Sequence, residues 1–186
     1  ASFDRNEASL RPVTLVLGDA ASGKSVFAES LIADGFGTIW TGATYLATAA
    51  AGDGEMAAKI ARHRARRGPH WSTVEESLAL PTALAEHTRT DRPILVDCLT
   101  LWLTNLMLAD RQTASEIDAL TGSLESLSGP IVFVSNEVGG GIVPENALAR
   151  RFRNEAGHMN QRIAETANRV YLVTAGLPQI LKDTHA

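Results

Sequence analysis

The sequence predicts an α/β protein in which a mostly parallel sheet is flanked by helices. Two observations predict this class. Short apolar segments rich in β-branched residues alternate with longer helical patterns, which is the order that a parallel sheet with crossover helices produces. The first predicted strand also ends in a glycine-rich loop that leads directly into a helix. Ligands of such sheets bind at the carboxyl ends of the strands, so the functional residues are expected at that edge.

The predicted strands are short apolar runs that end in glycine or polar residues. They cover Val13–Gly18, Gly37–Thr44, Pro93–Cys98, Pro130–Gly139 and Arg169–Gly176. The third run is apolar almost throughout, which is typical of a strand covered on both faces. Helices are predicted over Lys24–Asp34, Gly54–Arg67 and Pro144–Asn168. In the last of these, Pro144 is expected in the first turn, where a helix does not need its N–H group.

Composition excludes several classes of protein. A length of 186 residues suits one domain with a single sizeable core. The formal net charge is −4 and the pI is about 5.7, which argues against binding nucleic acid by bulk attraction. A single cysteine, Cys98, excludes an internal disulfide framework and is typical of a reducing compartment. No apolar run approaches the ~20 residues of a membrane-spanning helix. We therefore expect a cytoplasmic protein, with residues 1–12 as a flexible leader and residues 13–186 as a single domain.

The glycine-rich loop carries the clearest motif in the chain. Its sequence GDAASGKS matches the Walker A pattern G-x-x-x-x-G-K-[ST] and lies between a predicted strand and a predicted helix. Backbone N–H groups of such a loop, together with the helix dipole, bind phosphate oxygens. The residues expected to contact nucleotide phosphates are Gly18, Asp19, Ala20, Ala21, Ser22, Gly23, Lys24 and Ser25. The motif predicts a P-loop NTPase-type fold that binds a nucleoside triphosphate.

Two side chains of this site are expected to act on the charge of the triphosphate. Lys24 supplies a positive charge for the terminal phosphates, and the Ser25 hydroxyl is a candidate ligand of Mg²⁺. Asp97 lies at the end of an apolar predicted strand, where an unpaired acid would be costly. We interpret it as the carboxylate that holds the metal or its water. The alternative is that Asp97 caps the helix that follows it.

Several segments, in this order along the chain, resemble one known family. They are GDAASGKSVFAE, YLATA, GEMAAKIARHRARRGPHW, LVDCLTLWLTNL and VSNEVGGGIVPENALARRFRNEAGHMNQRIAETANRVYLVTAGLP. The chain resembles the bifunctional adenosylcobinamide kinase/adenosylcobinamide-phosphate guanylyltransferases of cobalamin biosynthesis, from about Thr14 to Lys182. Two positions depart from the family pattern, which commonly has glycine and arginine where this chain has Asp19 and Ala21. Both lie in the phosphate loop, so they bear on triphosphate binding.

The resemblance implies two activities on one corrinoid substrate. The first phosphorylates the aminopropanol hydroxyl of adenosylcobinamide with ATP or GTP. The second transfers GMP from GTP to the new phosphate through a GMP–histidine intermediate, and the nucleophile of the family matches His63. From the residues alone, the commoner interpretation of His63 is a solvated histidine on a basic helix. The resemblance further implies a homotrimer, and nucleotide contacts from Ala47, Thr48, Ala49, Arg64, Ala65, Arg66, Arg67 and Glu75.

Other functions remain open at this point. The chain could be a P-loop kinase without guanylyl transfer, a relative that retains only guanylyl transfer, or a nucleotide-gated regulator whose basic helix binds RNA. One face of the last helix carries Arg150, Arg153, Gly157 and Asn160. That face is either solvated or meets the corrinoid or a neighbouring subunit. A glycine inside a helix costs about 1 kcal/mol relative to alanine, which favours close approach of another group there.

Overall fold

The computed structural model describes residues 10–49, 65 and 67–184 of the chain. Its strands form one sheet and are, in chain order, β1 (Val13–Gly18), β2 (Ala43–Ala47), β3 (Trp71–Glu75), β4 (Ile94–Asp97), β5 (Ile131–Asn136), β6 (Arg169–Thr174) and β7 (Leu177–Asp183). Within the described residues the sheet has seven strands in the order β3-β2-β4-β5-β1-β6-β7. The first six are parallel, and β7 pairs antiparallel with β6.

Helices cover both faces of this sheet. They are α1 (Lys24–Ala33), α2 (Leu80–His87), α3 (Leu99–Leu108), α4 (Thr113–Ser123) and α5 (Ala147–Thr166), and a short 3-10 turn follows α4 at Leu124–Ser126. Alternate residues of β1 enter different cores, because successive side chains of a strand point to opposite faces. Leu15 and Leu17 pack with α2 to α5, whereas Val16 packs with α1. The predicted α/β class with a mostly parallel, helix-flanked sheet is confirmed.

The strand predictions succeed where the strand is fully buried. β1 has the predicted bounds, and β4, β5 and β6 lie inside their predicted segments. The strand predicted over Gly37–Thr44 is wrong in position, since β2 begins only at Ala43. The segment before it forms turns, in which the carbonyl of Gly35 accepts the N–H groups of Ile39 and Trp40. Two strands, β3 and β7, were not predicted.

The last helix begins later than the sequence predicts. α5 starts at Ala147, so Pro144 does not lie in its first turn. Asn146 caps the helix instead, because its side-chain oxygen accepts the N–H groups of Leu148 at 2.8 Å and Ala149 at 3.2 Å. The helix predicted over Gly54–Arg67 lies outside the described residues, except that residues 65 and 67 are helical.

The described part of the chain has no helix that is both long and apolar enough to span a membrane.

Candidate active site

The loop between β1 and α1 has a backbone that requires glycine at two positions. Gly23 immediately precedes α1 with φ of 91°, in the left-handed region that glycine adopts most readily. A Cβ atom on Gly18 would lie 2.7 Å from the carbonyl oxygen of Val173 in β6, and closer still to Ser22 Oγ. The two glycines of the Walker A pattern are therefore fixed by steric constraints.

The loop between β1 and α1 is held by hydrogen bonds within the loop and by one hydrogen bond from the turn between β6 and β7. The carbonyl oxygen of Asp19 accepts Lys24 Nζ at 3.0 Å and the N–H of Ser22 at 3.2 Å. On the other side, the N–H of Gly176 donates to the carbonyl of Ser22 at 2.7 Å. Gly176 belongs to the tight turn between β6 and β7, and no sequence pattern predicted this contact. Ser25 lies half-buried in the first turn of α1, next to Lys24.

Predicted site residues from three other strands meet at the same edge of the sheet. In the strand register, Ala47 of β2 pairs with Glu75 of β3 on one side and with Asp97 of β4 on the other. Only β5 separates β4 from β1, and neighbouring strands are about 4.8 Å apart. Through Val134 of β5, Asp97 is in register with Val16 of β1, so it lies about two strand spacings from β1 and two residues before the point where the loop of Gly18 to Ser25 begins.

Asp97 is held by a buried tyrosine. The hydroxyl of Tyr45 in β2 donates to Asp97 Oδ2 at 2.7 Å. Burial is the main cause that raises the pKa of Tyr45, and the negative charge of Asp97 raises it further, so the phenol remains a donor. The residue that precedes α3 as its N-cap is Cys98, and no side chain caps that helix. The structure therefore does not support the alternative in which Asp97 serves as a cap.

Arg67 packs on the other side of the same tyrosine. Its guanidinium carbon lies 3.4 Å from the centre of the Tyr45 ring, which is a cation–π contact. The guanidinium also lies 3.7 Å from Glu29 Oε1 of α1, and the Arg67 side chain is only 1% exposed. The predicted nucleotide-binding residue Arg67 therefore directs its side chain into the protein, against Tyr45.

The predicted nucleotide-binding residues Ala47, Thr48 and Ala49 are all buried, with exposures of 2%, 0% and 7%. The side chain of Thr48 is engaged with the backbone after β4. Its hydroxyl donates to the Cys98 carbonyl at 2.8 Å and accepts the Cys98 N–H at 3.0 Å. Asn105 of α3 donates to the Thr48 carbonyl at 2.7 Å. Thr48 thus fixes the backbone that follows Asp97.

The family model described as cobinamide kinase / cobinamide phosphate guanyltransferase matches residues 14–181. The chain belongs to this family. The bifunctional adenosylcobalamin biosynthesis protein CobP of Pseudomonas aeruginosa is 51% identical over 170 residues, which are 90% of this chain and 96% of the relative. The protein CobU of Salmonella typhimurium, with the same description, is 40% identical over 178 residues, which are 88% of this chain and 96% of that relative. The resemblance drawn from the motifs is confirmed.

A solved structure of a different function shares the fold. The flagellar accessory protein FlaH of Methanocaldococcus jannaschii aligns with a TM-score of 0.51 at 13% identity, covering 94% of this chain and 80% of FlaH. At that identity the likeness supports the fold alone.

In this member of the cobinamide kinase family, part of the predicted site cannot be placed. His63, Arg64 and Arg66 lie outside the described residues. Ala65 is exposed, and Glu75 ends β3 with its side chain exposed. The nearby His70 stacks on Phe36, with ring centroids 5.0 Å apart and planes at 27°. This packing indicates a structural role for His70.

The oxygen atoms of Ser25 and Asp97 at the edge of the sheet are of the kind that suits Mg²⁺ better than a metal that needs a cage of protein ligands. Ser25 offers a hydroxyl and Asp97 a carboxylate, and Mg²⁺ is usually bound by one or two carboxylates together with substrate phosphates and water. In residues 10–49 and 67–184 no group of three or more histidine, cysteine, aspartate or glutamate side chains could hold a metal ion.

The end of β5 and the loop that follows it are hydrogen-bonded to α5, and the sequence did not predict these contacts. Arg153 of α5 donates to the carbonyls of Gly139 and Gly141, so the helix holds the loop that follows β5. Asn160 is buried, accepts Ser135 Oγ at 2.6 Å and donates to the Asn136 carbonyl at 3.2 Å. The interpretation of this helix face as solvated is wrong for Asn160, which is buried, whereas Arg153 is half-buried and binds an exposed loop.

Gly157 lies on the same helix, but apart from its chain neighbours and its own helix backbone no atom of the described residues comes within 4 Å of a Cβ built on it. Within the described residues no contact explains the glycine. Its predicted contact with a corrinoid or a neighbouring subunit therefore stays a prediction.

Proposed function

We propose that this chain phosphorylates adenosylcobinamide with a nucleoside triphosphate bound at the loop of Gly18 to Ser25, and then transfers GMP from GTP to the new phosphate. Membership of the cobinamide kinase family supports both reactions. The observation that carries the residue assignment is the approach of the phosphate loop and Asp97 at one sheet edge. We assign both activities to a single domain of residues 13–186.

In the kinase step, the substrate hydroxyl oxygen attacks the γ-phosphorus, and the bond to the leaving nucleoside diphosphate breaks. The backbone N–H groups of the loop and the Lys24 ammonium bind the phosphates and stabilise the charge that develops on the transferred group. Ser25 and Asp97 would hold Mg²⁺, directly or through its water. When bound, Mg²⁺ supplies positive charge that neutralises the phosphate oxygens.

In the guanylyl step, a ring nitrogen of His63 attacks the α-phosphorus of GTP, and pyrophosphate leaves. A phosphate oxygen of adenosylcobinamide phosphate then attacks the same phosphorus. That attack breaks the phosphorus–nitrogen bond, regenerates His63 and releases adenosylcobinamide-GDP. Arg64 and Arg66 are assigned to the charge on the transferred phosphoryl group. Ala47, Thr48, Ala49, Ala65 and Glu75 remain assigned to nucleotide contact by family resemblance.

The test is covalent labelling of the purified protein with GTP and Mg²⁺, followed by mass spectrometry. We expect one GMP adduct on His63, which His63→Ala abolishes together with formation of the GDP-linked product. His63→Ala should still phosphorylate adenosylcobinamide, because the histidine has no role in that step. His70→Ala is the matched control, since it removes a nearby histidine that stacks on Phe36. An adduct on His70, or guanylyl transfer by wild-type protein with no adduct at all, contradicts the assignment.

A second candidate is a family member that retains only guanylyl transfer. The observation that favours it is the departure of Asp19 and Ala21 from the family pattern inside the phosphate loop. Ala21 has φ of 57°, an unusual conformation for a residue with a side chain. Separate assays of phosphorylation and guanylyl transfer distinguish the candidates, because the second predicts no phosphorylation of adenosylcobinamide.

We further propose that the protein is a cytoplasmic homotrimer, as the family resemblance implies. An interface requires exposed apolar surface, and the edge strand β7 exposes Leu177, Ile180 and Leu181 by 72%, 46% and 53%. Sedimentation equilibrium of the purified protein tests the assembly, and a monomer at micromolar concentration would contradict it.

A further inference from the structure

Tyr45 is placed where it can control one carboxylate of the proposed metal site. In the strand register Tyr45 pairs with Leu95, so Asp97 lies two residues further along the neighbouring strand. Side chains two residues apart on a strand share a face, and such diagonal neighbours are within reach of an aromatic side chain. The Tyr45 hydroxyl accordingly reaches Asp97 Oδ2 at 2.7 Å. The hydroxyl fixes one carboxylate oxygen and leaves Oδ1 for another ligand.

The ring of Tyr45 is held by the core between the sheet and α1, and by Arg67. Tyr45 is 5% exposed and belongs to the core that packs on α1. Arg67 covers the ring at 3.4 Å, and its guanidinium approaches Glu29 of α1 at 3.7 Å. Within the described residues the guanidinium nitrogens of Arg67 are buried and have no hydrogen-bond acceptor. Among the described residues, the ring of Tyr45 and the charge of Glu29 are the contacts that hold this cation.

These contacts connect the two proposed metal ligands. Glu29 is four residues after Ser25 on α1, so the two side chains lie on the same face of the helix. The sequence of contacts runs from α1 through Glu29, Arg67 and Tyr45 to Asp97. Arg67 contributes a cation–π contact and an ion pair, and the contact of Tyr45 with Asp97 is a charge-assisted hydrogen bond, which is shorter and stronger than a neutral one.

We infer that Tyr45 is a positioning residue that orients the Asp97 carboxylate toward the metal–nucleotide complex, with Arg67 and Glu29 holding its ring in place. This inference rests on the proposed function, because it takes Asp97 as a ligand of Mg²⁺ or its water. The role differs from the nucleotide contact that the family resemblance implies for the following residues Ala47, Thr48 and Ala49. Tyr45 acts through Asp97 and does not need to touch the substrate.

The chain offers a matched pair of variants, because it contains two tyrosines. Tyr45→Phe removes the hydroxyl from Asp97 and keeps the ring under Arg67. Tyr171→Phe makes the same chemical change at a residue that is also buried and also lies near an arginine, since Arg169 donates to its hydroxyl at 3.3 Å. Tyr171 lies on β6 and Asp97 on β4, which are separated by two other strands.

The experiment measures calorimetric binding of a non-hydrolysable ATP analogue at increasing Mg²⁺ concentrations, for the wild-type protein and both variants. Loss of one charge-assisted hydrogen bond to the ligand carboxylate should raise the Mg²⁺ concentration for half-maximal binding by about tenfold in Tyr45→Phe. Binding of the analogue without Mg²⁺ should not change. Tyr171→Phe should keep the wild-type Mg²⁺ requirement. In an Asp97→Asn background, Tyr45→Phe should have no further effect.

A wild-type Mg²⁺ requirement in Tyr45→Phe overturns the inference, and so does an equal effect of Tyr45→Phe with and without Asp97→Asn. If Tyr45→Phe loses its fold while Tyr171→Phe does not, the hydroxyl is a structural group and the inference also fails. Failure of the proposed function looks different. In that case the wild-type protein itself would bind the analogue without any dependence on Mg²⁺, or would not phosphorylate adenosylcobinamide.

Discussion

Replacement of Gly18 by alanine should damage both the stability of the fold and the binding of the triphosphate. A Cβ at this position would lie 2.7 Å from the Val173 carbonyl oxygen, whereas carbon–oxygen contacts are ordinarily no shorter than about 3.3 Å. Ser22 can rotate its hydroxyl away. Val173 cannot withdraw, because its carbonyl belongs to β6, which is paired with β1.

The expected cost follows from this contact. Overpacking of a close-packed interior destabilises a fold by about 1 to 3 kcal/mol. Urea unfolding of Gly18→Ala should therefore give a free energy of unfolding lower by that amount. Where the loop relieves part of the strain by shifting away from β6, its N–H groups lose their alignment. The affinity for a triphosphate, measured by calorimetry, should then fall by roughly tenfold for each 1.4 kcal/mol of binding free energy that the distorted loop loses.

Gly157→Ala is the control, because it adds the same methyl group where no atom of the described chain lies within 4 Å. Inside a helix, alanine is more stable than glycine by about 0.5 to 1 kcal/mol, so this variant should be more stable than wild type. Equal free energies of unfolding for wild type and Gly18→Ala would refute the steric reasoning. A lost assembly or lost corrinoid binding in Gly157→Ala would show that a partner or substrate occupies the space beside that glycine.

Three further variants test the site and the edge of the sheet. Lys24→Ala should slow phosphorylation of adenosylcobinamide by an amount equivalent to about 3 to 4 kcal/mol, because the γ-phosphate loses its nearest proposed cation; near-normal kinase turnover would show that the phosphate loop is misassigned. Asp97→Asn should lower kinase and transferase rates while the far-UV circular dichroism stays unchanged, and unaltered rates would remove Asp97 from the site. Hydrogen bonding to Arg169 lowers the pKa of Asp183, so this pair stabilises the fold above the ordinary carboxyl pKa and ceases to do so as the pH falls through the lowered pKa. Asp183→Asn should therefore destabilise the protein at pH 7 but make a smaller difference below about pH 4, and a difference that grows on acidification would contradict this linkage.

The parts of the fold that could be predicted are those in which one local signal decides the structure. β1 and the start of α1 were predicted because a fully buried strand and a Walker A loop each have an unambiguous pattern. β3 (WSTVE) is half-buried with polar residues on both faces, and β7 begins LPQ and is largely exposed. Neither has the apolar alternation that marks a strand.

The contacts that complete the site could not be predicted for a different reason. Asp97 was found from its place at the end of an apolar strand, but its partner Tyr45 lies 52 residues away in sequence. A tyrosine in a buried strand has the same local pattern whether its hydroxyl meets a carboxylate or a water molecule. The bond depends on the register between β2 and β4, which only the assembled sheet defines.

The position of β1 between β5 and β6 has a consequence for the order in which the protein matures. The phosphate loop is encoded near the start of the chain, yet its strand pairs only with residues 131–136 and 169–172. The support behind the loop comes from Gly176, later still. These pairings, which are the ones of β1 among the described residues, join segments far apart in sequence, and such long-range pairing is slow to form. During synthesis, therefore, the loop lacks the neighbours that support it until residue 176 has left the ribosome, and we expect nucleotide to bind, and thereby stabilise, only molecules that have been extended past that residue.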